Sequence, residues 1–291
     1  MAVLGPGLIG GSLLRAVRER FSEAELRAWA RRPEVVERLR RETDLIDFAT
    51  DSVADALKDA DLAVLAMPTG AMAAVVDRFP EVSGGTALLV TDVGSVKGPV
   101  MREIAPAVAA KGAVFIGSHP MAGSEKAGLE HADGGLFEDA AVILTGDGEG
   151  GAGDEGSEEF RRLSRFWQAL GGRVSTMSAG RHDELVGLIS HLPHLVAAAL
   201  VRTVSARDEE AGAFCGGGFR DTTRVASGPE EMWAGILADN APVVSAQLGA
   251  FLAELETWKE ALDELDRDRL RGFLSGARSF RESLRETASE L

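Results

Sequence analysis

A glycine-rich turn near the start of the chain restricts the possible folds more than any other feature of the sequence. A short apolar run precedes the spacing G-x-G-x-x-G, and an apolar helical pattern follows it. Glycines at this spacing allow a tight turn and bring the backbone close to a pyrophosphate at a helix N-terminus. The sequence therefore predicts a dinucleotide-binding strand–turn–helix unit. The predicted cofactor contacts in it are Gly5, Gly7, Leu8, Ile9 and Gly10.

Short apolar runs alternate with helical patterns over the first 180 residues. The runs lie at residues 26–30, 61–66, 87–92, 113–116 and 141–144. This alternation is typical of an α/β domain of the Rossmann type, with a doubly wound parallel sheet. Ligands of such sheets bind at the carboxyl ends of the strands, so the loops there are expected to contact the cofactor. The candidates are Ala30, Arg31, Arg32, Met67, Pro68, Thr69, Asp92, Val93 and Gly94.

The end of the second predicted strand bears on the choice between NAD and NADP. Folds that prefer NAD place an acidic residue about 20 residues after the last glycine, where it binds the ribose hydroxyls. This chain has Ala30 there, followed by Arg31 and Arg32, whose guanidinium groups suit a 2′-phosphate. The sequence favours NADP as the cofactor over NAD. The alternative is that these arginines only form the solvated start of the next helix.

The hydrophobic period changes to 3.6 after residue 180. Apolar positions then recur at helical spacing on three faces, at 185–204, 232–258 and 270–284. This predicts an all-helical domain at 181–291 after a nucleotide-binding domain at 1–180. Faces this apolar on long helices usually need a partner subunit to cover them, so we predict a homodimer through the helical domain.

The charge balance and the single cysteine limit the possible partners and the compartment. Thirty-one basic and 46 acidic residues give a net charge of −15, which repels nucleic acid and anionic membranes. No uninterrupted apolar run reaches the roughly 18 to 20 residues of a membrane span. Cys215 is the only cysteine, which fits a reducing cytoplasm. An anionic substrate would need basic groups concentrated at its site.

Four residues carry more chemistry than packing requires. His119 follows the apolar run 113–116, so a buried strand would deliver its imidazole to the edge of the sheet; the alternative is a histidine on a solvent-facing loop. His191 and His194 share a helical face, and Arg224 follows a triple glycine. Each histidine alone is more typical of a core or capping role. No third ligand has the spacing of a metal site, so no metal is predicted.

Five segments together resemble the prephenate and arogenate dehydrogenases of tyrosine biosynthesis. They read GPGLIGGS, DVGSVKG, SHPMAGSEKAG, HDELVGLISHLPH and GFRDTTRVASGPEEMW, occur in the order of the family, and span residues 5–233. The resemblance implies an oxidative decarboxylation with NAD or NADP. A hydride leaves C4 of a small anionic cyclohexadiene, the C4 hydroxyl loses its proton, and CO2 departs as the ring becomes aromatic. Prephenate would give 4-hydroxyphenylpyruvate, and arogenate would give tyrosine.

The resemblance also implies roles for individual residues. His119 would accept the proton of the C4 hydroxyl, Ser95 would orient that hydroxyl, and Arg224 would bind a substrate carboxylate. Other substrate contacts would come from Ser124, Glu125, His191 or His194, Gly217 and Trp233.

The sequence is also compatible with other functions. A 3-hydroxyacid dehydrogenase or imine reductase shares the expected architecture, but these enzymes rely on a lysine or an acid in the first long helix of the second domain. That stretch offers His182, Asp183, His191 and His194 and no lysine. A nucleotide sensor without turnover would be expected to lack Ser95, His119 or Arg224. The sequence does not separate prephenate from arogenate or from a 4-amino-4-deoxy analogue.

Overall fold

The computed structural model describes residues 1–82, 88–123, 128–146 and 154–290, with side chains to residue 284. The chain divides into two compact units, Met1–Ala241 and Pro242–Leu291.

The first unit is built on a six-stranded parallel sheet. Its strands are β1 (Ala2–Leu4), β2 (Arg27–Trp29), β3 (Phe48–Thr50), β4 (Leu62–Leu65), β5 (Leu89–Asp92) and β6 (Val114–Phe115). They lie in the order β3-β2-β1-β4-β5-β6, and every neighbouring pair is parallel. This is the order of a doubly wound dinucleotide-binding sheet, which places the ligand crevice where the order reverses, at the carboxyl ends of β1 and β4. The predicted Rossmann-type fold is confirmed.

Two details of the sheet differ from the prediction. The sequence analysis missed β3, since a three-residue strand gives too short a hydrophobic pattern to recognise. The run at 141–144 was expected to continue the parallel sheet, and this was wrong. It forms β8 (Ala141–Thr145) in a separate sheet, antiparallel to β7 (Gly117–Pro120) and parallel to β9 (Arg173–Thr176). The chain leaves the main sheet directly after β6, and β7 pairs with β8 instead.

Helices cover both faces of the main sheet, with separate clusters of buried residues on the two sides. Those of the first 177 residues are α1 (Leu8–Arg20), α2 (Pro33–Arg41), α3 (Val53–Leu57), α4 (Thr69–Val76), α5 (Ala105–Ala110) and α6 (Glu158–Ala169). A π-helical turn, Val100–Ile104, precedes α5, and a 3₁₀ turn spans Leu129–His131.

Helix α6 illustrates how sequence sets local structure here. Ser157 caps its first turn by accepting a hydrogen bond from the Phe160 N–H at 3.0 Å. Phe160, Leu163 and Trp167 recur at helical spacing and are buried. Trp167 is completely buried, and its indole N–H donates to Ser118 Oγ at 3.1 Å. The packing of α6 therefore reaches β7, the strand that carries His119.

From residue 179 onward, the described chain is helical. The helices are α7 (Ala179–Val186), α8 (Leu192–Arg207), α9 (Gly217–Thr223), α10 (Glu230–Asp239), α11 (Ala241–Asp263) and α12 (Arg267–Glu290). A π turn at Gly187–His191 joins α7 to α8, and 3₁₀ turns span Glu209–Phe214 and Arg224–Ser227. The boundary between the two compact units lies between residues 241 and 242, whereas the predicted domain boundary lies between residues 180 and 181. Helices α7 to α10 pack in the same unit as the sheet, and the boundary at 180 stays a prediction.

The continuous helical run at 179–207 is long and apolar enough by composition to cross a membrane. The sequence prediction counted uninterrupted apolar runs and did not register it. His182, Asp183 and His191 lie along this run and are buried in hydrogen-bonded contacts inside the first unit. One side of this run therefore packs inside the first unit, although only 28% of its apolar window is buried.

The second unit consists of the remainder of α11 and α12. Trp258 and Phe273 join the two helices with ring centroids 5.1 Å apart, and Arg269 pairs with Glu260 and Glu264. The unit exposes several large apolar side chains: Leu252, Leu255, Leu262, Leu265, Leu274, Phe280 and Leu284. Apolar surface of this extent is typical of a protein–protein interface.

Candidate active site

His119 is held inside β7 and not on a solvent-facing loop. The strand Gly117–Pro120 is buried throughout, and His119 pairs with Ile143 of β8. Only 8% of the residue is exposed. The sequence reasoning placed the imidazole at a strand end, whereas the structure places it within a short strand of the second sheet. The solvent-facing alternative is thereby excluded.

A chain of hydrogen bonds runs from His119 to a carboxylate. His119 Nδ1 lies 2.8 Å from His182 Nε2, and His182 Nδ1 lies 2.7 Å from Asp183 Oδ1. Asp183 also accepts the backbone N–H groups of Lys97, at 2.8 Å, and Gly98, at 2.7 Å. Burial alone would raise the pKa of Asp183, but the hydrogen bonds from His182, Lys97 and Gly98 together lower it. Asp183 is therefore ionised at neutral pH.

The ionised carboxylate fixes the proton positions along this chain. A carboxylate can only accept, so His182 Nδ1 carries a proton and donates it. In the form of His182 with a single proton, Nε2 is free to accept, and His119 Nδ1 is then the donor to it. The remaining nitrogen of His119, Nε2, is left with a lone pair. This is the tautomer that a general base requires.

The electrostatic surroundings of His119 keep it neutral. Burial has the largest effect and lowers its pKa well below the ordinary value of 6.5, and His182, Lys97 and His191 lower it further. A neutral imidazole with a free lone pair can take up a proton at physiological pH.

A buried ion pair ties the loop after β5 to β7. The Lys97 ammonium group donates to Asp92 Oδ2, and both side chains are completely buried. Asp92 also accepts the N–H of Gly94 at 2.8 Å and that of Ser118 at 3.1 Å. Burial lowers the pKa of Lys97, while Asp92 acts in the opposite direction. The Asp92 carboxylate, predicted as a cofactor contact, makes its hydrogen bonds to the protein. Val93 and Gly94, the other two predicted contacts of this loop, are half-buried.

Ser95 lies in the same loop and is half-buried. Its hydroxyl forms no hydrogen bond to His119 among the described residues. The neighbouring serine, Ser118, does form hydrogen bonds: its Oγ lies 2.6 Å from Thr91 Oγ1, and its backbone N–H donates to Asp92.

His191 ends the π turn between α7 and α8. Pro193 has no N–H to donate to the carbonyl four residues earlier. This missing hydrogen bond accounts for the π-helical turn at Gly187–His191 between the two α-helices. His191 is 1% exposed, and burial, the largest effect, lowers its pKa to about 4. The Nδ2 atom of Asn240 lies 3.1 Å from His191 Nδ1 and 2.9 Å from the carbonyl oxygen of Asp183.

His194 and Trp233 form a stacked pair next to His191. Their ring centroids are 3.6 Å apart with an interplanar angle of 13°, and the Trp233 ring lies edge-on to His191 at 6.2 Å. Gly228 permits this packing, because a Cβ atom there would lie 2.4 Å from Trp233 Nε1. His194 Nδ1 is buried without a hydrogen-bond partner among the described residues.

The other predicted substrate contacts are less enclosed. Gly217 opens α9 and Arg224 opens the following 3₁₀ turn, and both are exposed. Arg224 makes no ion pair with a residue in the described ranges. Ser124 and Glu125 lie outside the described residues.

The glycine turn has the shape of a pyrophosphate cradle. Gly5 has φ +97°, and a Cβ atom there would lie 2.7 Å from the Ala66 carbonyl oxygen. Gly10 allows α1 to pack closely, since a Cβ atom would lie 2.6 Å from the Gly5 carbonyl oxygen. At Gly7 no atom lies within 4 Å of such a position, so the space before Leu8 and Ile9 is open. These residues fit the pyrophosphate of NAD(P) at the N-terminus of α1.

The remaining predicted cofactor residues lie at the same sheet edge. Ala30 follows β2 and is buried, whereas Arg31 and Arg32 after it are exposed. Arg32 lies 3.8 Å from Glu34 in an ion pair with 69% of each side chain exposed. Met67 and Pro68 follow β4, and Thr69 begins α4.

Several residues that build the site were not assigned a role from the sequence. His182 and Asp183 were noted only as part of a motif, and Lys97 only within DVGSVKG. Asn240 was missed, although an amide between the apolar positions of α10 and α11 is a detectable signal. No group of three potential metal ligands occurs in the described part of the chain.

Two family models match the chain. The nucleotide-binding domain of prephenate dehydrogenase matches residues 15–176, and its dimerization domain matches residues 178–275. The curated cyclohexadienyl dehydrogenase of Zymomonas mobilis is 32% identical over 274 residues, 93% of this chain and 90% of the relative. The prephenate dehydrogenase of Bacillus subtilis is 31% identical over 284 residues, 96% of this chain and 74% of the relative.

Solved structures agree with the family models. Prephenate dehydrogenase from Aquifex aeolicus, in complex with hydroxyphenyl propionate and NAD+, has a TM-score of 0.85 at 28% identity over 97% of each chain. Synechocystis arogenate dehydrogenase has a TM-score of 0.78 at 26% identity, covering 97% of this chain and 99% of the other. A 3-hydroxyisobutyrate dehydrogenase from Mycobacterium tuberculosis, at 15% identity and a TM-score of 0.56, shares the fold alone.

These matches confirm the resemblance seen in the five motifs. They support use of NAD(P) through the nucleotide-binding domain and self-association through the dimerization domain. They favour an oxidative decarboxylation of the prephenate and arogenate dehydrogenase type over a 3-hydroxyacid dehydrogenase or imine reductase. The chain is an oxidoreductase and belongs to the prephenate dehydrogenase family.

Proposed function

We propose that this protein oxidises and decarboxylates prephenate or arogenate at a site centred on His119. The observation that carries the proposal is the hydrogen-bonded chain from His119 Nδ1 through His182 to ionised Asp183, which leaves His119 Nε2 to act as the base. Relatives described as prephenate, cyclohexadienyl and arogenate dehydrogenases support this substrate class.

The reaction couples proton removal to hydride loss. Bound NAD(P)+ supplies the hydride acceptor. His119 Nε2 takes the proton of the C4 hydroxyl, and the electron density left on oxygen moves toward C4 as the hydride departs. The bond between C1 and its carboxylate then breaks, its electron pair completes the aromatic ring, and CO2 leaves. The proton on His119 can return to the phenolate oxygen of the product.

The residues behind His119 keep it oriented before and after it takes up the proton. When Nε2 takes up a proton, the ring becomes an imidazolium whose Nδ1–H still donates to His182. His182 in turn donates to the Asp183 carboxylate, whose negative charge opposes the new positive charge. The arrangement is analogous to a histidine oriented by a buried aspartate in a catalytic triad. Ser95 is proposed to orient the C4 hydroxyl.

Arg224 is proposed to bind a substrate carboxylate. It is exposed, and its planar guanidinium group suits bidentate recognition of a carboxylate. His191, Gly217 and Trp233 would complete the pocket, with Ser124, Glu125 and His194 as further contacts. A concentrated positive charge would draw an anionic substrate to a protein whose net charge is −15.

We propose NADP as the preferred cofactor and a cytoplasmic homodimer as the active form. Arg31 and Arg32 are exposed directly after β2, and position 30 is an alanine where a fold that prefers NAD has an acidic residue. Both features support binding of a 2′-phosphate. The apolar side chains exposed on α11 and α12 and the match to a dimerization domain support the dimer. The single cysteine is consistent with a reducing compartment.

The substrate panel is the direct test of this proposal. Prephenate, arogenate and 4-amino-4-deoxyprephenate are each incubated with NAD+ and with NADP+, and reduced cofactor is followed by absorbance. We expect turnover with prephenate or arogenate and a lower KM for NADP+ than for NAD+. The double variant Arg31→Ala/Arg32→Ala should raise the KM for NADP+ and leave that for NAD+ nearly unchanged. Turnover with neither prephenate nor arogenate would refute the function, and equal KM values would refute the cofactor preference.

Replacing the proposed base should slow the chemical step. His119→Asn retains a hydrogen-bonding side chain but cannot accept the proton, so we expect kcat to fall by about 10² to 10⁴ with little change in KM. Steady-state kinetics measure both constants. His131→Asn, the same change at an exposed histidine, is the control. Near-normal kcat in His119→Asn would exclude His119 as the base.

The pH dependence of kcat/KM follows from the lowered pKa of His119. The base works only when neutral, and its pKa in the folded protein lies well below the ordinary 6.5. The rate should therefore stay level as the pH falls through that value, and it should decline only in more acidic solution. A profile measured between about pH 5 and 8 covers the range in which an unperturbed histidine titrates. An acid limb centred at or above 6.5 would contradict the shift.

Removing the proposed carboxylate ligand should weaken substrate binding. Arg224→Ala loses a charge-assisted bidentate contact, and we expect KM to rise by about 10- to 100-fold with a smaller effect on kcat. Arg165→Ala, an arginine on α6 with 63% of its side chain exposed, is the matched control. An unchanged KM in Arg224→Ala would mean that another group binds the carboxylate.

A further inference from the structure

Asn240 occupies an unusual position for an amide side chain. It lies between α10 and α11, is 2% exposed, and uses one nitrogen atom for two contacts. Nδ2 lies 2.9 Å from the carbonyl oxygen of Asp183 and 3.1 Å from His191 Nδ1. It therefore touches both the residue that anchors the His119 chain and a histidine of the proposed substrate pocket.

The Asp183 carbonyl fixes the orientation of the amide. A backbone carbonyl oxygen can only accept a hydrogen bond, so the atom of Asn240 that faces it must be the nitrogen. That nitrogen has two hydrogens. One goes to the carbonyl oxygen of Asp183, and the second points to His191 Nδ1, which must then be the acceptor.

An accepting Nδ1 determines the tautomer of His191. Burial keeps this histidine neutral, with a pKa of about 4, so the ring carries one proton. Because Nδ1 accepts from Asn240, the proton is on Nε2. The ionisable groups around the ring are Asp183, His182, His194 and His119, and Trp233 lies edge-on to it. His191 thus presents a neutral N–H donor.

We propose that Asn240 is a positioning residue that holds His191 as an Nε2–H donor, so that the substrate atom bound by His191 is an acceptor oxygen. This inference rests on the proposed function for the identity of the ligand. A carboxylate or keto oxygen satisfies the donor, and an ammonium group does not. The side chain that arranges His191 also contacts the backbone of Asp183, whose carboxylate orients His182 and through it His119.

Two substitutions separate the donor role of Asn240 from its packing role. Asn240→Asp keeps the size and replaces the donor by a carboxylate, which favours a proton on His191 Nδ1 and repels the Asp183 carbonyl. Asn240→Leu keeps a similar volume and removes the hydrogen bonds. Ser157→Ala is the control, because it removes the cap of α6, costs stability without touching either histidine, and should leave activity unchanged.

The tautomer is measured in the intact protein by long-range ¹H–¹⁵N correlation spectra with labelled histidine, which is tractable because the chain has five histidines. We expect an unprotonated Nδ1 and a protonated Nε2 for His191 in the wild type, and a protonated Nδ1 in Asn240→Asp. Assignment uses His191→Gln, which removes the corresponding signals. A wild-type His191 with its proton on Nδ1 would overturn the inference, whichever substrate the enzyme uses.

Kinetics show whether this arrangement serves the reaction. We expect both Asn240 variants to lower kcat/KM by about 10- to 100-fold, the range that corresponds to the loss of one charge-assisted hydrogen bond. Asn240→Asp should also raise the pH at which kcat/KM begins to fall, since a neighbouring carboxylate favours protonated His191. Wild-type kcat/KM and an unchanged pH profile in Asn240→Asp would overturn the positioning role. Failure of the proposed function would show separately, as a wild-type enzyme inactive with both prephenate and arogenate.

Discussion

The carboxylate of Asp183 is the contact on which the rest of the site depends. Its two oxygens accept the N–H groups of Lys97 and Gly98 from the loop after β5, and one of them also orients His182. A single side chain from the first helix after the two sheets thus fixes a loop of the nucleotide-binding region and, through His182, the direction of the histidine proposed as the base. Because backbone donors satisfy this charge, it can remain ionised while partly buried, and an ionised acceptor is what sets the tautomers of both His182 and His119.

The second constraint is the buried Asp92–Lys97 pair. Two charges removed from water cost several kcal/mol each, and their mutual attraction offsets this cost only when the remaining polar atoms are bonded. Asp92 meets this condition through Gly94 and Ser118. We therefore interpret the pair as fixing the loop after β5 against β7, and not as a source of stability. Its positive end also helps to keep His119 neutral, so structural and electrostatic roles coincide in Lys97.

The sequence predicted the features that depend on local pattern. The glycine turn requires residues without a Cβ at Gly5 and Gly10, so its spacing alone indicated the cradle. The helical period after residue 180 was also readable. The structure differs from the sequence-based prediction where the outcome depends on tertiary contacts. β8 has the same apolar pattern as a strand of the main sheet, and only its pairing with β7 assigns it elsewhere. The bond from His182 to His119 and the bridge through Asn240 join residues 63 and 49 positions apart, and no sequence spacing encodes them.

The stacking of Trp233 on His194 gives the molecule an optical property of its own. The chain contains four tryptophans and no tyrosine, so its near-ultraviolet emission comes from indole alone. Trp167 is sealed in the core and Trp258 lies in the second unit, whereas Trp233 is half-buried beside two histidine rings. Protonation of His191 or His194, or a ligand that separates Trp233 from His194, would change how strongly the Trp233 fluorescence is quenched. The phenolic product would also absorb against a protein background without phenol groups, so chemistry and occupancy would give separate optical signals from an unlabelled enzyme.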